Sequence, residues 1–271
     1  MNKFENPLYS IYPRLYCSGT ILVNDVPMVD WYGDDTKDGG YGGDTVINTA
    51  ILQSGKYKVV GKMLPRKGKS VIDQDDTLSI DFYCADANNW KQSRFITHPK
   101  IESPWDGLSE NIKYPSFEIQ TEIEVKVPFI LDGWQNSLNL KDIPADMLFK
   151  EVLNYYQQLR LVLKEHNAAR FLEMSKEKMK LQEQALYFSE SRKKSFLDGM
   201  AQLFSQHLEV EELKAEDLKI EILGYGKLVR LIRKNGMQAL QFKSPAIEKQ
   251  SNIELEIKLH KRSSEKGFSI I

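Results

Sequence analysis

Cysteine is nearly absent from this chain of 271 residues, with only Cys17 and Cys84 present. Two thiols without metal-ligand spacing exclude a disulfide-built scaffold and a thiolate metal centre. Both lie in strand-like runs beside aromatic residues, Leu15-Tyr-Cys17 and Phe82-Tyr-Cys84. Two readings stand, a pair of buried thiols or a bridge between neighbouring strands. A long apolar run is missing too, so no transmembrane helix is expected. The first residues, Met1-Asn-Lys-Phe-Glu-Asn-Pro-Leu8, lack the apolar core of a signal peptide. The chain as given therefore reads as cytoplasmic, with a leader removed before this numbering left open. An excess of positive charge is lacking as well. The formal net charge is −1, which argues against a dedicated nucleic-acid binder.

Catalytic signatures are also missing. The four histidines, His98, His166, His207 and His260, form no i, i+4 zinc pair. No Gly-x-Ser-x-Gly elbow occurs, and no glycine-rich phosphate loop stands at a strand-to-helix transition. The best enzymatic arrangement would bring His207 beside Tyr225 or His260, where a neighbouring carboxylate would make a base of it. A surface or capping histidine is the simpler alternative. No catalytic residue, metal ligand or cofactor site is assigned.

What is present is ordinary globular composition, 41% hydrophobic and 28% charged, at a length that suits two domains. From residue 15 to 143 strand signals recur and no helical period competes with them. Two β-favouring runs flank Asn24-Asp25, and Val46–Leu52 and Tyr57–Leu64 flank a Ser54-Gly55 turn, so both segments predict hairpins. Strands are also expected at Leu78–Ala85, Arg94–Thr97 and Phe117–Val127. In the last, Phe117, Ile119, Thr121, Ile123, Val125 and Val127 alternate with polar residues, the period of a sheet wet on one side. An antiparallel β-sandwich follows.

Residues 144–271 read differently. The stretch 131–144 loses its period and predicts a linker or docking segment. Leu148, Val152, Tyr155, Tyr156, Leu159 and Leu163 then recur at helical spacing. Asn167 caps a second predicted helix whose charged side, including Glu177 and Lys178, is expected to be solvated. Ser189 caps a third. After residue 217 come five predicted strands, with Asn235-Gly236 as a hairpin signal. The fold class is α+β: an N-terminal antiparallel β-sandwich, 1–143, and a C-terminal three-helix plus antiparallel-sheet domain, 144–271.

On the run Ile47–Pro65, the first half resembles jelly-roll and immunoglobulin-like sandwiches. On element order, the second resembles NTF2-like α+β cones. Both resemblances imply binding modules more often than enzymes. The two-domain, motif-poor pattern is also similar to bacterial immunity or adaptor proteins. That resemblance implies a protein partner such as a secreted toxin or effector.

Charge supplies the candidate site. Residues 1–143 hold 15 Lys/Arg against 20 Asp/Glu, and the remainder holds 22 against 18. The acidic half contains Asp34-Asp-Thr-Lys-Asp-Gly-Gly-Tyr-Gly-Gly-Asp44. As a calcium loop it fails at Thr36 and Thr45, where ligands belong. It reads instead as an acidic partner-binding loop of Asp34, Asp35, Asp38 and Asp44, with Trp31 and Tyr41 as aromatic anchors. The basic half offers Lys258 and Arg262 on one strand face. The alternative function is a carbohydrate- or lipid-ligand module using loop tryptophans (Trp31, Trp90, Trp105) or a cone pocket.

Overall fold

The computed structural model describes residues 4–105, 111–244 and 251–271. The fold is α+β with antiparallel sheets, and the chain divides into two compact units. One runs to Leu131 and includes Ala185–Tyr187; the other holds Asp132–Gln184 and Phe188–Ile271.

The described residues of the N-terminal unit form nine strands: β1 (Pro7–Leu15), β2 (Ser18–Val23), β3 (Val26–Trp31), β4 (Tyr41–Gly42), β5 (Thr45–Val46), β6 (Gly55–Leu64), β7 (Leu78–Asp86), β8 (Phe95–Glu102) and β9 (Phe117–Val125). A four-residue helix, α1 (Trp90–Ser93), precedes β8. One sheet runs β4-β1-β7-β8, with β5 also on β1, and the other runs β3-β2-β6-β9. The β6–β9 pair shows why register is specified. Tyr57, Val59 and Met63 point into the core, opposite Ile123, Thr121 and Phe117. Their polar neighbours set Lys56 against Glu124, Lys58 against Glu122 and Lys62 against Glu118. A one-residue slip would expose the apolar set and put the charges inside. The charge ladder itself adds little, because its members are exposed.

The two sheets close face to face. At Gly61 of β6 an added Cβ would lie 2.5 Å from Leu78 of β7 and 3.1 Å from Ile119 of β9. His98 of β8 reaches Thr121 of β9 through Nε2 at 3.2 Å and meets Phe82 edge-on. Cys17 and Cys84 are both buried and neither is in a disulfide, so the bridge between strands is not made. Burial pushes the Cys17 thiol up to about 12.

Two strand expectations change here. β1 was not visible in the sequence pattern, because Pro7 and Pro13 interrupt it. Val46–Leu52 is not one strand of a hairpin with β6. Thr45–Val46 pairs with β1, and Asn48–Ala50 forms a 3-10 turn. The cause is buried Asn48. Its Oδ1 accepts from Tyr9 N at 2.7 Å and its Nδ2 donates to Pro7 O at 3.0 Å. The carboxamide thus stands in for strand partners and bends the chain.

The C-terminal unit packs α2 (Ala145–Lys164), α3 (Ala168–Met174), α4 (Lys176–Ala185, whose last residue groups with the other unit) and α5 (Glu190–Ser205) with two sheets. The larger is β10 (Leu218–Leu223), β11 (Leu228–Arg233), β14 (Leu259–His260) and β15 (Ser269–Ile270); β12 (Leu240–Phe242) pairs with β13 (Ile253–Leu255). The expected caps are made: Asn167 and Ser189 accept from the N–H groups of Arg170 and Arg192. The second predicted helix is two, broken at Ser175. The run Ile253–His260, expected as one strand, is divided between the two sheets.

Buried Tyr156 of α2 ties helix to sheet. Its hydroxyl donates to Ile257 O at 2.6 Å and accepts from Leu231 N at 3.1 Å. Around it Leu148, Val152, Leu159 and Leu163 form a core with Leu231, Leu240 and Leu259. Among the described residues, no helix is long and apolar enough to cross a membrane.

Candidate functional site

The acidic loop leaves β3 at Trp31 and enters β4 at Tyr41, passing from one sheet of the N-terminal unit to the other. Asp34–Thr36 forms a 3-10 turn after Gly33, whose φ of 88° suits glycine. Thr36, 1% exposed, is the anchor. Its Oγ1 donates to Gly33 O at 2.9 Å and accepts from Ser18 Oγ at 3.0 Å and Lys67 N at 3.1 Å. Gly39 N donates to Asp35 O at 3.1 Å and closes the turn. The loop is therefore a pinned element rather than a free strand connection.

Pinning lifts the carboxylates into water: Asp34, Asp35 and Asp38 are exposed. Asp34 faces Lys67 at 3.2 Å, but both side chains are mostly solvated and the pair contributes at most a few tenths of a kcal/mol. Asp44 differs. It is bound bidentately by Arg94, at 2.6 and 2.8 Å, and that guanidinium also lies 3.7 Å over the Tyr83 ring. Asp44 is thus part of the structural frame.

Beneath the loop lies an aromatic platform. Trp31 and Tyr41 are half-buried, with ring centroids 5.7 Å apart. Tyr16, 51% exposed, lies directly under Gly40, where an added Cβ would come within 2.8 Å of its ring. Gly40 answers to that close approach, and Gly39 to the Asp35 carbonyl, 2.6 Å from where its Cβ would lie. Sequence reasoning missed Tyr16 and Thr36. The tyrosine was legible only as a polar-tipped residue in an otherwise buried run. In the sequence Thr36 stands only as a missing calcium ligand.

The basic candidates are placed elsewhere, in the C-terminal unit, and they are occupied. Lys258 Nζ is ion-paired with Glu256. Arg262 bonds Asp132 Oδ1 at 2.9 Å, Gly133 O at 2.7 Å and Glu177 Oε2 at 3.0 Å. Arg230, 2% exposed, meets Glu221 at 2.8 Å, and Lys261 meets Glu151 at 3.1 Å. The late basic cluster is mostly internal pairing.

The same region corrects the reading of α4 as a solvated charged face. Glu177 Oε2 accepts from His260 Nε2 at 3.0 Å, while His260 Nδ1 lies 2.8 Å from Ser137 Oγ. A carboxylate only accepts, so Nε2 carries the proton and Nδ1 accepts from the serine hydroxyl. Burial holds His260 below its ordinary value despite Glu177, leaving it neutral at pH 7. For Glu177, partial burial favours the acid, but Arg262 and His260 outweigh it and hold the carboxyl low.

Serine, histidine and glutamate in this order have the composition of a nucleophile relay. Here Ser137 and His260 are both sealed from solvent, and a substrate has no approach to the hydroxyl. The chain works as a clasp joining residues 132–137, α4 and β14. His207, the sequence candidate for a base, meets the ring of His166 at 4.6 Å. Of the loop tryptophans, Trp105 is buried and donates to Asp76 O at 2.7 Å, while Trp31 and Trp90 are half-buried.

No protein-family model matches this chain, and no curated protein or solved structure does either.

Proposed function

We propose that this is a non-enzymatic binding protein that recognises a protein partner through the acidic loop and its aromatic platform, in the manner of a bacterial immunity or adaptor protein meeting a secreted toxin. The observation that carries the reading is the combination in one place of three exposed carboxylates, held on a pinned turn, with the exposed ring of Tyr16. Such a surface suits a basic partner. Opposed charge accelerates encounter and selects the partner, while lasting affinity comes from an aromatic side chain buried on docking. Trp31 and Tyr41 support the loop from below, and Tyr16 is the ring best placed to be covered. Lys258 and Arg262 leave the proposed interface, since their charge is spent internally.

The test is to crosslink the protein in cells, recover its partner, and compare amide exchange in the free and bound states. The reading expects slowed exchange at residues 16 and 31–44. Protection confined to other residues would overturn it.

A further inference from the structure

Helices α3, α4 and α5 and the segment Glu254–Ile257 line a half-open cavity of about 190 Å³ in the C-terminal unit. Its walls are largely apolar: Phe171, Leu172, Met179, Phe196, Met200 and Leu255. Methionine at two of these places gives a surface that adapts to differently shaped apolar guests. The volume exceeds the ~150 Å³ of an engineered apolar cavity that admits benzene. A single ring or a short acyl chain fits; a long lipid does not.

Five polar residues break this lining, Ser175, Lys178 and Gln182 from the helices and Glu254 and Glu256 from the facing segment. Ser175, Lys178, Met179 and Gln182 follow one another at helical spacing and all line the cavity. Ser175 is 5% exposed and its Oγ has no hydrogen-bond partner among the described residues. A buried hydroxyl left so costs about 1–3 kcal/mol. The Lys178 stem is half-buried, with its ammonium end enclosed. The ammonium has three donors, and its hydrogen bond is to Glu256 O at 2.7 Å. Among the described residues Lys178 forms no ion pair. The wall's two carboxylates are already engaged: Glu256 with Lys258, and Glu254 with the N–H of Gln238 at 2.8 Å.

We propose that this cavity binds a small carboxylic acid with an apolar body, an arylcarboxylate or short-chain acyl carboxylate, its carboxylate received by Lys178 and Ser175. The apolar part lies against Met179, Met200, Phe196 and Leu172. The headgroup completes the ammonium's coordination and supplies the acceptor that Ser175 lacks. Burial, which pushes Lys178 down to about 8, is relieved by the same anion.

The site is separate from the acidic loop, so its failure and that of the partner reading are distinguishable. Calorimetric titration of the full chain with benzoate and hexanoate tests it, with benzyl alcohol as the uncharged shape match. The proposal expects saturable binding of at least one acid, with benzyl alcohol weaker by tenfold or more. Met200→Trp, which fills the cavity and keeps the lysine, should abolish binding. Lys178→Met should remove the preference for the charged head, and Ser175→Ala should weaken the acid several-fold while leaving the alcohol unchanged. If Lys178→Met does not fold, the Ser175 and Met200 variants decide the matter. Equal binding of acid and alcohol to the wild type would overturn the assignment. So would acid binding that survives Met200→Trp, or no binding of either acid.

Discussion

In the N-terminal unit, Asp34, Asp35 and Asp38 stand in water on a turn held by Thr36, whereas in the C-terminal unit Glu177, Arg262, Lys178 and Glu256 are drawn inward. Charge exposed on a rigid turn contributes little to folding and is available to a partner. Charge drawn among helices and strands is committed to the fold or to an enclosed ligand. The sequence shows both as runs of charged residues. Which of the two a run becomes depends on what the rest of the chain brings against it.

The largest loss of stability is expected at the C-terminal unit's helix-to-sheet tie. Tyr156→Phe leaves Ile257 O and Leu231 N without their buried partner, and should cost about 2–4 kcal/mol. Denaturant unfolding measures it; a loss near zero would mean the two backbone groups find other partners.

Lys178→Met should act in the opposite direction, stabilising the ligand-free protein by about 1–3 kcal/mol at pH 7, because an enclosed ammonium without an ion pair is replaced by an apolar chain. The pH dependence has a definite sign. The folded lysine releases its proton near pH 8 and the unfolded one near 10.5, so between them the unfolded state binds more protons. Wild-type stability therefore rises relative to Lys178→Met across that window, and the advantage of the variant shrinks. Parallel stability curves for the two proteins from pH 7 to 10 would contradict this placement of the ammonium.

Thr36→Val removes the hydroxyl that joins Ser18, Gly33 and Lys67, and should cost about 1–2 kcal/mol with faster amide exchange at Lys67. Smallest of all, replacing Asp34, Asp35 and Asp38 together by Asn should change stability by no more than about 0.5 kcal/mol. A large loss there would move the loop's charge into the class of structural pairing and erase the contrast.

Much of the fold was legible where local chemistry decides. Asn24 and Asp25, read as a turn, both adopt positive φ, the geometry that joins β2 to β3. Gly236 turns the chain with a φ of 92°, but the expected hairpin shrinks to one bridge, Ile232 to Gln238, because β12 pairs with β13; the alternation of β9 matches its burial. The failures share a physical cause, a partner distant in sequence. Asn48 bends a strand-like run because Pro7 and Tyr9 are beside it. Glu177 reads as a solvated helix residue because His260 lies 83 positions away. In the candidate site, the carboxylates and two aromatic residues were legible as composition. Tyr16 and Thr36 were not, since a turn packed over a ring leaves no periodic trace, and the commitment of Asp44 to Arg94 spans 50 residues.

The central claim is that the exposed carboxylates speed recognition without holding the fold. It is tested most directly by the association rate constant with the crosslinked partner, measured at low and high salt for the wild type and the Asp34→Asn/Asp35→Asn/Asp38→Asn variant. The variant should associate at least several-fold more slowly at low salt, with a flatter salt dependence and unchanged thermal stability. Equal rates and equal salt slopes for the two folded proteins would contradict it.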